Sequence, residues 1–420
     1  MVLLLAMAGC GGSPIDADTD GVPPAQATGT LRVLMPSYPA SNEGKAAFAK
    51  VAERFNRIYP KMKVEPDYAT YSNLNEKIST SIAAGIPYDV MVVGVGWVPP
   101  FAAKRIFADL SQFGVDGPAL KKRTVPALAP TAMYDGNVYG IPLVADARAM
   151  ALRKSAFRDA GLDPDDPPQT MAELKTAAEK LTRRNKAGTI TRPGFDFHPG
   201  DGGSYRQIYL TLLKATGTSL YRGTEPNFDN PKGVQTLNWI KSMIGPTQVY
   251  GQVTASEDPM VYTGDAAMGV TGGAIDCSAD GLGAENCDDM EYFLPDDGEP
   301  SEFVGGDIAA VGTRSKHSEA AWAFIQQLTQ KGSLDELAEL NQKLPAYADV
   351  QDSPQAKSNP LSHYLAAHLN DVAYEGGPVN WLDLRPKFDA KLSQAILGQK
   401  PSEDVLAELA EQSQSTVGGN

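Results

Sequence analysis

Tyr88-Asp-Val-Met-Val-Val-Gly-Val95 is a nearly continuous apolar run of strand length. Such a run suits a strand covered on both faces, as in a sheet flanked by helices. Upstream, Leu31-Arg-Val-Leu-Met35 is a short β-like run that ends at Pro36. Phe48, Val51, Phe55 and Ile58 then recur at spacings of three and four, which predicts an amphipathic helix. Met62-Lys-Val-Glu65 is a second strand candidate, and Leu74, Ile78 and Ile82 mark a further helix that stops near Gly85. Strands alternating with helices at this spacing predict an α/β protein with a parallel, doubly wound sheet.

From about residue 139 the character changes. Tyr139–Val144 and Ala149–Leu152 read as extended, and after Gly161 the chain is predominantly helical, over 170–184, 204–216 and 231–244. Strand-like runs return at Ala266–Thr271 and Phe303–Val311. The C-terminal part is helical again, over 318–330, 360–373, 384–397 and 401–413, and no internal repeat is visible.

The 420 residues are long for one compact domain and comfortable for two or three. Acidic residues outnumber basic ones 51 to 37, a formal net charge of −14. That balance argues against coating a phosphate backbone, which needs clustered Lys and Arg. No run of 18 apolar residues is present, so no transmembrane helix is expected.

The N-terminus, Met1-Val-Leu-Leu-Leu-Ala-Met-Ala-Gly-Cys10, resembles the end of a bacterial lipoprotein signal peptide, with Ala8-Gly9-Cys10 as its lipobox core. The resemblance implies that residues 1–9 are removed and that Cys10 is lipidated. Residues 11–30 are Gly, Ser, Pro, Asp, Thr and Ala with little apolar content, and 10–28 read as a flexible tether. Asp16-x-Asp18-x-Asp20-Gly21 imitates a calcium loop, but Ala27 takes the closing position. In an exported protein, Cys277 and Cys287 suggest a local disulfide. Asp276–Gly281 again approaches a calcium loop, yet its twelfth position is Cys287, so no metal or other cofactor is expected.

An ordered set of motifs resembles the extracellular solute-binding proteins of carbohydrate ABC importers. It comprises Phe55-Asn-Arg-Ile-Tyr-Pro60 followed by Val64, Ala84-Gly85-Ile-Pro87-Tyr-Asp89-Val90, and Asp135-Gly136-x-x-Tyr139-Gly140-Ile141-Pro142. Gly264-Asp-Ala-Ala267-Met268, and Gly305-Gly306 with Ala320-Ala-Trp322-x-Phe324-Ile325, complete it. The resemblance covers about residues 30–415. It implies a periplasmic-binding-protein-like, two-lobed (Venus flytrap) fold that closes around a ligand. The first lobe is expected at 29–141 plus 289–332, and the second at 142–288 plus 333–420, ending in a helical segment. Further implications are an extracytoplasmic, lipid-anchored monomer, a permease as partner, and no nucleic acid.

Sugars need aromatic plates, and carboxylates, amides or Arg for directional hydrogen bonds. Trp97 follows the apolar run and stands at the mouth of the expected cleft, or else packs under Pro99-Pro100. Tyr38 and Tyr71 follow the first two strands, as ligand contacts or as plain surface packing. Asp146 and Arg148 offer an acceptor and a bidentate donor, or pair with each other near the hinge. His198 and Tyr205 belong to a small-residue loop that opens a helix. Gly273, Gly305 and Gly306 permit close backbone approach, and Asp307 follows them. Trp381 lies in a loop before a helix, whereas Trp239 and Trp322 have core spacing. Ala274 stands where the resemblance leads one to expect Trp, which speaks against a maltose-like stacking platform.

No Gly-x-Ser-x-Gly, His-Glu-x-x-His, Walker loop or Cys-x-x-Cys occurs. A glycosidase needs only two carboxylates, so an exported glycan-cleaving or glycan-modifying enzyme is the alternative to a binder. A structural or adhesive surface lipoprotein is a third class, with no saturable small ligand.

Overall fold

A computed structural model describes residues 18–197, 205–251, 258–273 and 275–414. Cys10 and His198 lie outside the described residues. The first alternation is β1 (Gly29–Met35), α1 (Asn42–Asn56), β2 (Met62–Tyr68), α2 (Leu74–Ala83), β3 (Val90–Gly94) and α3 (Val98–Ala103). Ser41 starts α1 by accepting a hydrogen bond from the Gly44 amide at 3.1 Å, and Phe48, Val51 and Phe55 form its buried stripe. All five residues of β3 are buried, as the apolar run predicts.

Two long strands follow from different parts of the chain. They are β4 (Ile141–Arg148), continued by β5 (Met150–Arg153), and β8 (Glu302–Val311). Between them stand α4 (Tyr205–Ala215), β6 (Met268–Val270) and β7 (Met290–Phe293). After β8 come α5 (Ser318–Leu328), α6 (Lys331–Asn341), β9 (Leu344–Pro345), β10 (Val372–Tyr374), α7 (Trp381–Ile396) and α8 (Ser402–Gln414).

The main sheet has the order β9-β4-β8-β3-β1-β2, with β10 added beside β8. Strands β1, β2 and β3 are parallel, but β8 runs antiparallel to both β3 and β4. The sheet is therefore mixed, not wholly parallel. A second sheet, β6-β5-β7, is antiparallel.

The apolar side chains explain why the molecule has two lobes. One core gathers Leu31, Phe48, Val92, Phe101, Leu143, Ile308 and Phe324. Another gathers Phe157, Leu174, Tyr209, Leu237, Phe303, Trp381 and Phe388. A third, with Ala147, Tyr262, Tyr292, Val304 and Leu365, lies against the other side of the shared strands. Strands β4 and β8 thus leave one core and enter the next without a break. Helix α6 contributes Leu334 and Leu337 to the first core, and β7 pairs with β5.

Residues 18–27, expected as part of a flexible tether, are ordered against α5. The Thr19 amide donates to the Lys316 carbonyl at 2.8 Å, and the Asp20 carboxylate accepts from the Glu319 amide at 3.0 Å. A carboxylate at a helix N-terminus satisfies amides that have no partner within the helix. Cys277 and Cys287 are disulfide-bonded. Among the described residues no helix is long and apolar enough to cross a membrane, and no group of three or more His, Cys, Asp or Glu is placed to hold a metal.

Glu302, at the start of β8, is fully buried, and among the described residues neither carboxylate oxygen has a hydrogen-bond partner. Burial, with Asp371 nearby, pushes its pKa well above the ordinary carboxylate range. The folded state therefore keeps a proton that the unfolded chain releases, so this group costs stability as pH rises past the unfolded value. Glu302→Gln is expected to raise the melting temperature at pH 8, a gain of roughly 1–3 kcal/mol from removing the strained ionisation. Scanning calorimetry between pH 4 and 8 checks it: the gain shrinks toward pH 4, and a gain independent of pH contradicts the assignment.

Candidate functional site

The carboxyl ends of β1, β2 and β3 face the point where β4 and β8 pass from one core to the next. Open α/β sheets hold ligands at that edge. Cross-strand register brings the chemistry together there, since Gly305 faces Asp146 and Asp307 faces Gly94.

Asp307 is 1 % exposed. Tyr71, from the loop after β2, donates its hydroxyl hydrogen to Asp307 Oδ1. Lys343, between α6 and β9, brings its Nζ to 3.7 Å from Oδ2, an oxygen with no hydrogen bond among the described residues. Burial works against the Lys343 ammonium, but the Asp307 and Asp146 carboxylates outweigh it and hold the pKa above its ordinary value. Asp146 and Arg148 form an ion pair at 3.5 Å. Arg148 also donates to Gln207 of α4 at 2.8 Å and lies over the Phe303 ring, 5.3 Å from its centroid.

Glycines shape the backbone around these charges. A Cβ on Gly273 would fall 2.3 Å from Asp146 Oδ1. One on Gly306, at φ +132°, would fall 2.1 Å from the Val144 carbonyl oxygen. At Gly306 only glycine permits the approach, whereas at Gly273 a side chain would push the Asp146 carboxylate aside. Above them sits a second ionic group. Arg206 donates to Glu375 Oε1 at 2.7 and 3.0 Å and also reaches Asp389, while Arg385 Nε lies 3.0 Å from Glu375 Oε2.

The structure thus joins Tyr71, Asp146, Arg148, Gly273, Gly305, Gly306 and Asp307. The other expected aromatics are placed differently. Tyr38 is 2 % exposed and meets Phe48 edge to face, so its ring belongs to the first core. Trp97 is 6 % exposed against Phe101, with its indole over Gly94. Trp381 is wholly buried between Tyr221 and Phe388 and offers no face to a solute. All three are apolar rings next to a core large enough to cover them. Tyr205 stacks on Tyr250 with centroids 5.1 Å apart, and burial pushes its phenol pKa up to about 12. Lys343, Gln207 and the Arg206–Glu375 group escape sequence reading, because no motif surrounds them and their partners are distant in the chain.

A family model described as bacterial extracellular solute-binding protein matches residues 50–363, about three quarters of the chain. The chain belongs to this family. A putative binding protein of Brucella abortus (strain 2308) is 23% identical over 397 residues, 91% of this chain and 92% of that one. The diacetylchitobiose-binding protein DasA of Streptomyces coelicolor is 24% identical over 396 residues, covering 88% and 85%. The fold is that of the Mycobacterium tuberculosis UgpB crystal structure with glycerophosphocholine, at a TM-score of 0.72 and 18% identity over 93% of this chain and 99% of that one. As a solute-binding protein, the chain captures a small molecule.

Removing one partner of a buried ion pair leaves the other charge uncompensated. Lys343→Met is therefore expected to destabilise the fold by roughly 3–5 kcal/mol, and the double variant Lys343→Met with Asp307→Asn to recover most of that. Denaturant melts of the four members of this cycle measure the coupling; additive losses count against a buried pair.

Proposed function

We propose that the protein takes up an uncharged, polyhydroxylated solute, a sugar or oligosaccharide, between its lobes and delivers it to an ABC permease. The observation that carries this reading is the neutrality of the site. Each cation already has its carboxylate, Arg148 with Asp146 and Lys343 with Asp307. Arg206 and Arg385 are likewise committed to Glu375 and Asp389. Segments 198–204 and 252–257 contain no Lys or Arg. At this group an anionic headgroup would meet only cations that already have a carboxylate partner. A hydroxyl pair, which donates and accepts at once, suits carboxylate and guanidinium edges held side by side. DasA, named for diacetylchitobiose, supports an uncharged sugar. UgpB, solved with glycerophosphocholine, marks the charged alternative within the same fold.

The lobes change chain within β4 near Val144–Ala145 and within β8 near Val304–Ile308, where membership of the cores changes. Residues 1–9 serve as signal peptide, and Cys10 carries the lipid that holds the protein outside the cytoplasm. Asp146 and Arg148, with Tyr71 and the bare backbone at Gly273 and Gly305, hold the solute.

A thermal-shift screen of sugars, polyols, amines, amino acids and sn-glycerol 3-phosphate on residues 18–420 tests this. Neutral saccharides are expected to raise the melting temperature, and the phosphate ester to leave it unchanged. Asp146→Ala and Gly273→Ala are expected to weaken the best saccharide by about 1–3 kcal/mol, Gly273→Ala because its methyl displaces the Asp146 carboxylate. Unchanged affinity in both discards the site, stabilisation by the phosphate ester alone discards the neutral solute, and formation of any product from the sugar points to an enzyme.

A further inference from the structure

Strands β1, β2 and β3 begin at the edge of the main sheet opposite the charge group, and four exposed cations gather around those beginnings. Lys61 stands immediately before β2, and Arg314 three residues after β8. Lys104 and Arg105 follow α3 and are tied to the end of β8, where the Thr313 amide donates to the Ile106 carbonyl at 2.9 Å. None of the four has a hydrogen bond or ion pair among the described residues. Arg105 takes φ +54°, a position just past a helix where glycine is usual, so a guanidinium is kept there against a conformational cost.

Lys104, Arg105 and Arg314 line a cavity of about 200 Å³ floored by Ile82, Tyr88 and Ile106, and its described wall carries no carboxylate. The carboxylates nearby are engaged. Asp89 is buried and accepts from the Arg32 amide at 2.7 Å and the Ser315 hydroxyl at 2.6 Å, while Glu319 accepts from the Gly21 amide at 3.2 Å. Two large apolar side chains stand uncovered at the same edge, Ile58 at 41 % exposure and Ile86 at 55 %. Arg32 donates to the Ile86 carbonyl and so fixes the loop that presents it.

The N-terminal segment joins the body here as well, through the Thr19 amide on the Lys316 carbonyl, two residues past Arg314. Cys10 is eight residues before Asp18, so the two are within about 29 Å of each other at full extension. A lipid on Cys10 therefore keeps this edge near the bilayer.

We propose that this edge docks on an anionic phospholipid surface, with the four cations against headgroup phosphates and Ile58 and Ile86 in the interface. The orientation rests on the lipid anchor assigned to Cys10 above. A chain of net charge −14 is repelled by an anionic bilayer, and the basic edge selects the side that approaches. The seven residues of β1 rise about 23 Å, so the charge group at the far ends of these strands stays clear of the headgroups and open to solute.

Vesicle co-flotation of residues 10–420 with Cys10→Ser tests the edge without the lipid. The chain is expected to bind vesicles of equal phosphatidylglycerol and phosphatidylcholine at least fivefold more than phosphatidylcholine alone. Raising salt from about 50 to about 300 mM is expected to release it. Lys104→Glu, Arg105→Glu and Arg314→Glu together are expected to cut binding at least fivefold, with the melting temperature unchanged. Arg158→Glu, Lys186→Glu and Lys387→Glu, at exposed positions around the second core, alter the net charge equally and are expected to keep most of the binding. Ile58→Ser with Ile86→Ser is expected to lower it severalfold. The proposal is overturned if both vesicle types bind alike, if the two charge-reversed triples behave alike, or if inorganic phosphate at matched ionic strength releases the chain, which marks a pocket for small anions. Mass spectrometry of the full chain reads the acyl group on Cys10 separately: its absence overturns the anchor, while flotation still decides the docking edge.

Discussion

Strands β4 and β8 are buried in more than one core along a single stretch of backbone, and the rest of the molecule is arranged around that constraint. A strand of eight or ten residues spans roughly 26–34 Å at about 3.3 Å per residue. It therefore reaches from one core into the next. Because β8 is antiparallel to β3 and to β4, the strands bring Asp307 against Gly94 and Gly305 against Asp146. A one-residue slip would turn each of these side chains to the opposite face. The glycines and the buried Asp307–Lys343 pair belong together for that reason. Tight register makes room for the charges, and the charges penalise any other register.

Charge pairing also sets what this polar edge offers to a solute. A guanidinium and an ammonium in a buried cleft attract anions strongly unless carboxylates neutralise them first. Here each has a carboxylate within 3.7 Å. The result is a polar edge without net charge, suited to hydroxyls. The acidic excess of the whole chain, −14, says nothing about this edge. Aromatic stacking is less prominent than the four tryptophans suggest, since Trp97, Trp322 and Trp381 are buried and Trp239 is half-buried with its indole N–H on the Met171 carbonyl.

Gln207, bonded to Arg148, and Leu210, on the wall of a cavity with Tyr221 and Tyr374, lie three residues apart on one face of α4, so the charge group and that cavity adjoin. Glu302, buried at the start of β8, adds a pH-sensitive element to the same strand.

Local pattern was enough to read β1 to β3 with their helices and the extended runs at 139–144 and 303–311, because burial on two faces and helical periodicity leave marks in neighbouring residues; the two-lobed family was legible only through the resemblance of its ordered motifs. Asp146, Arg148, Gly305, Gly306 and Asp307 were legible as site candidates because each stands in or next to a strand-end motif. What the sequence could not convey was which aromatic rings stay uncovered. Tyr38, Trp97 and Trp381 sit after strands or before a helix, as ligand plates do, yet neighbouring elements bury them. Val372–Tyr374 ends a helical pattern but becomes a strand, because β8 offers an unpaired edge at Glu302–Val304. Lys343 reaches Asp307 across 36 residues of chain, and Arg206 reaches Glu375 across 169. The sequence by itself determined the family, the alternation of elements and the residues with chemistry to offer. Tertiary structure alone decided which charges cancel and which rings are covered, because both depend on contacts between segments that share no local pattern.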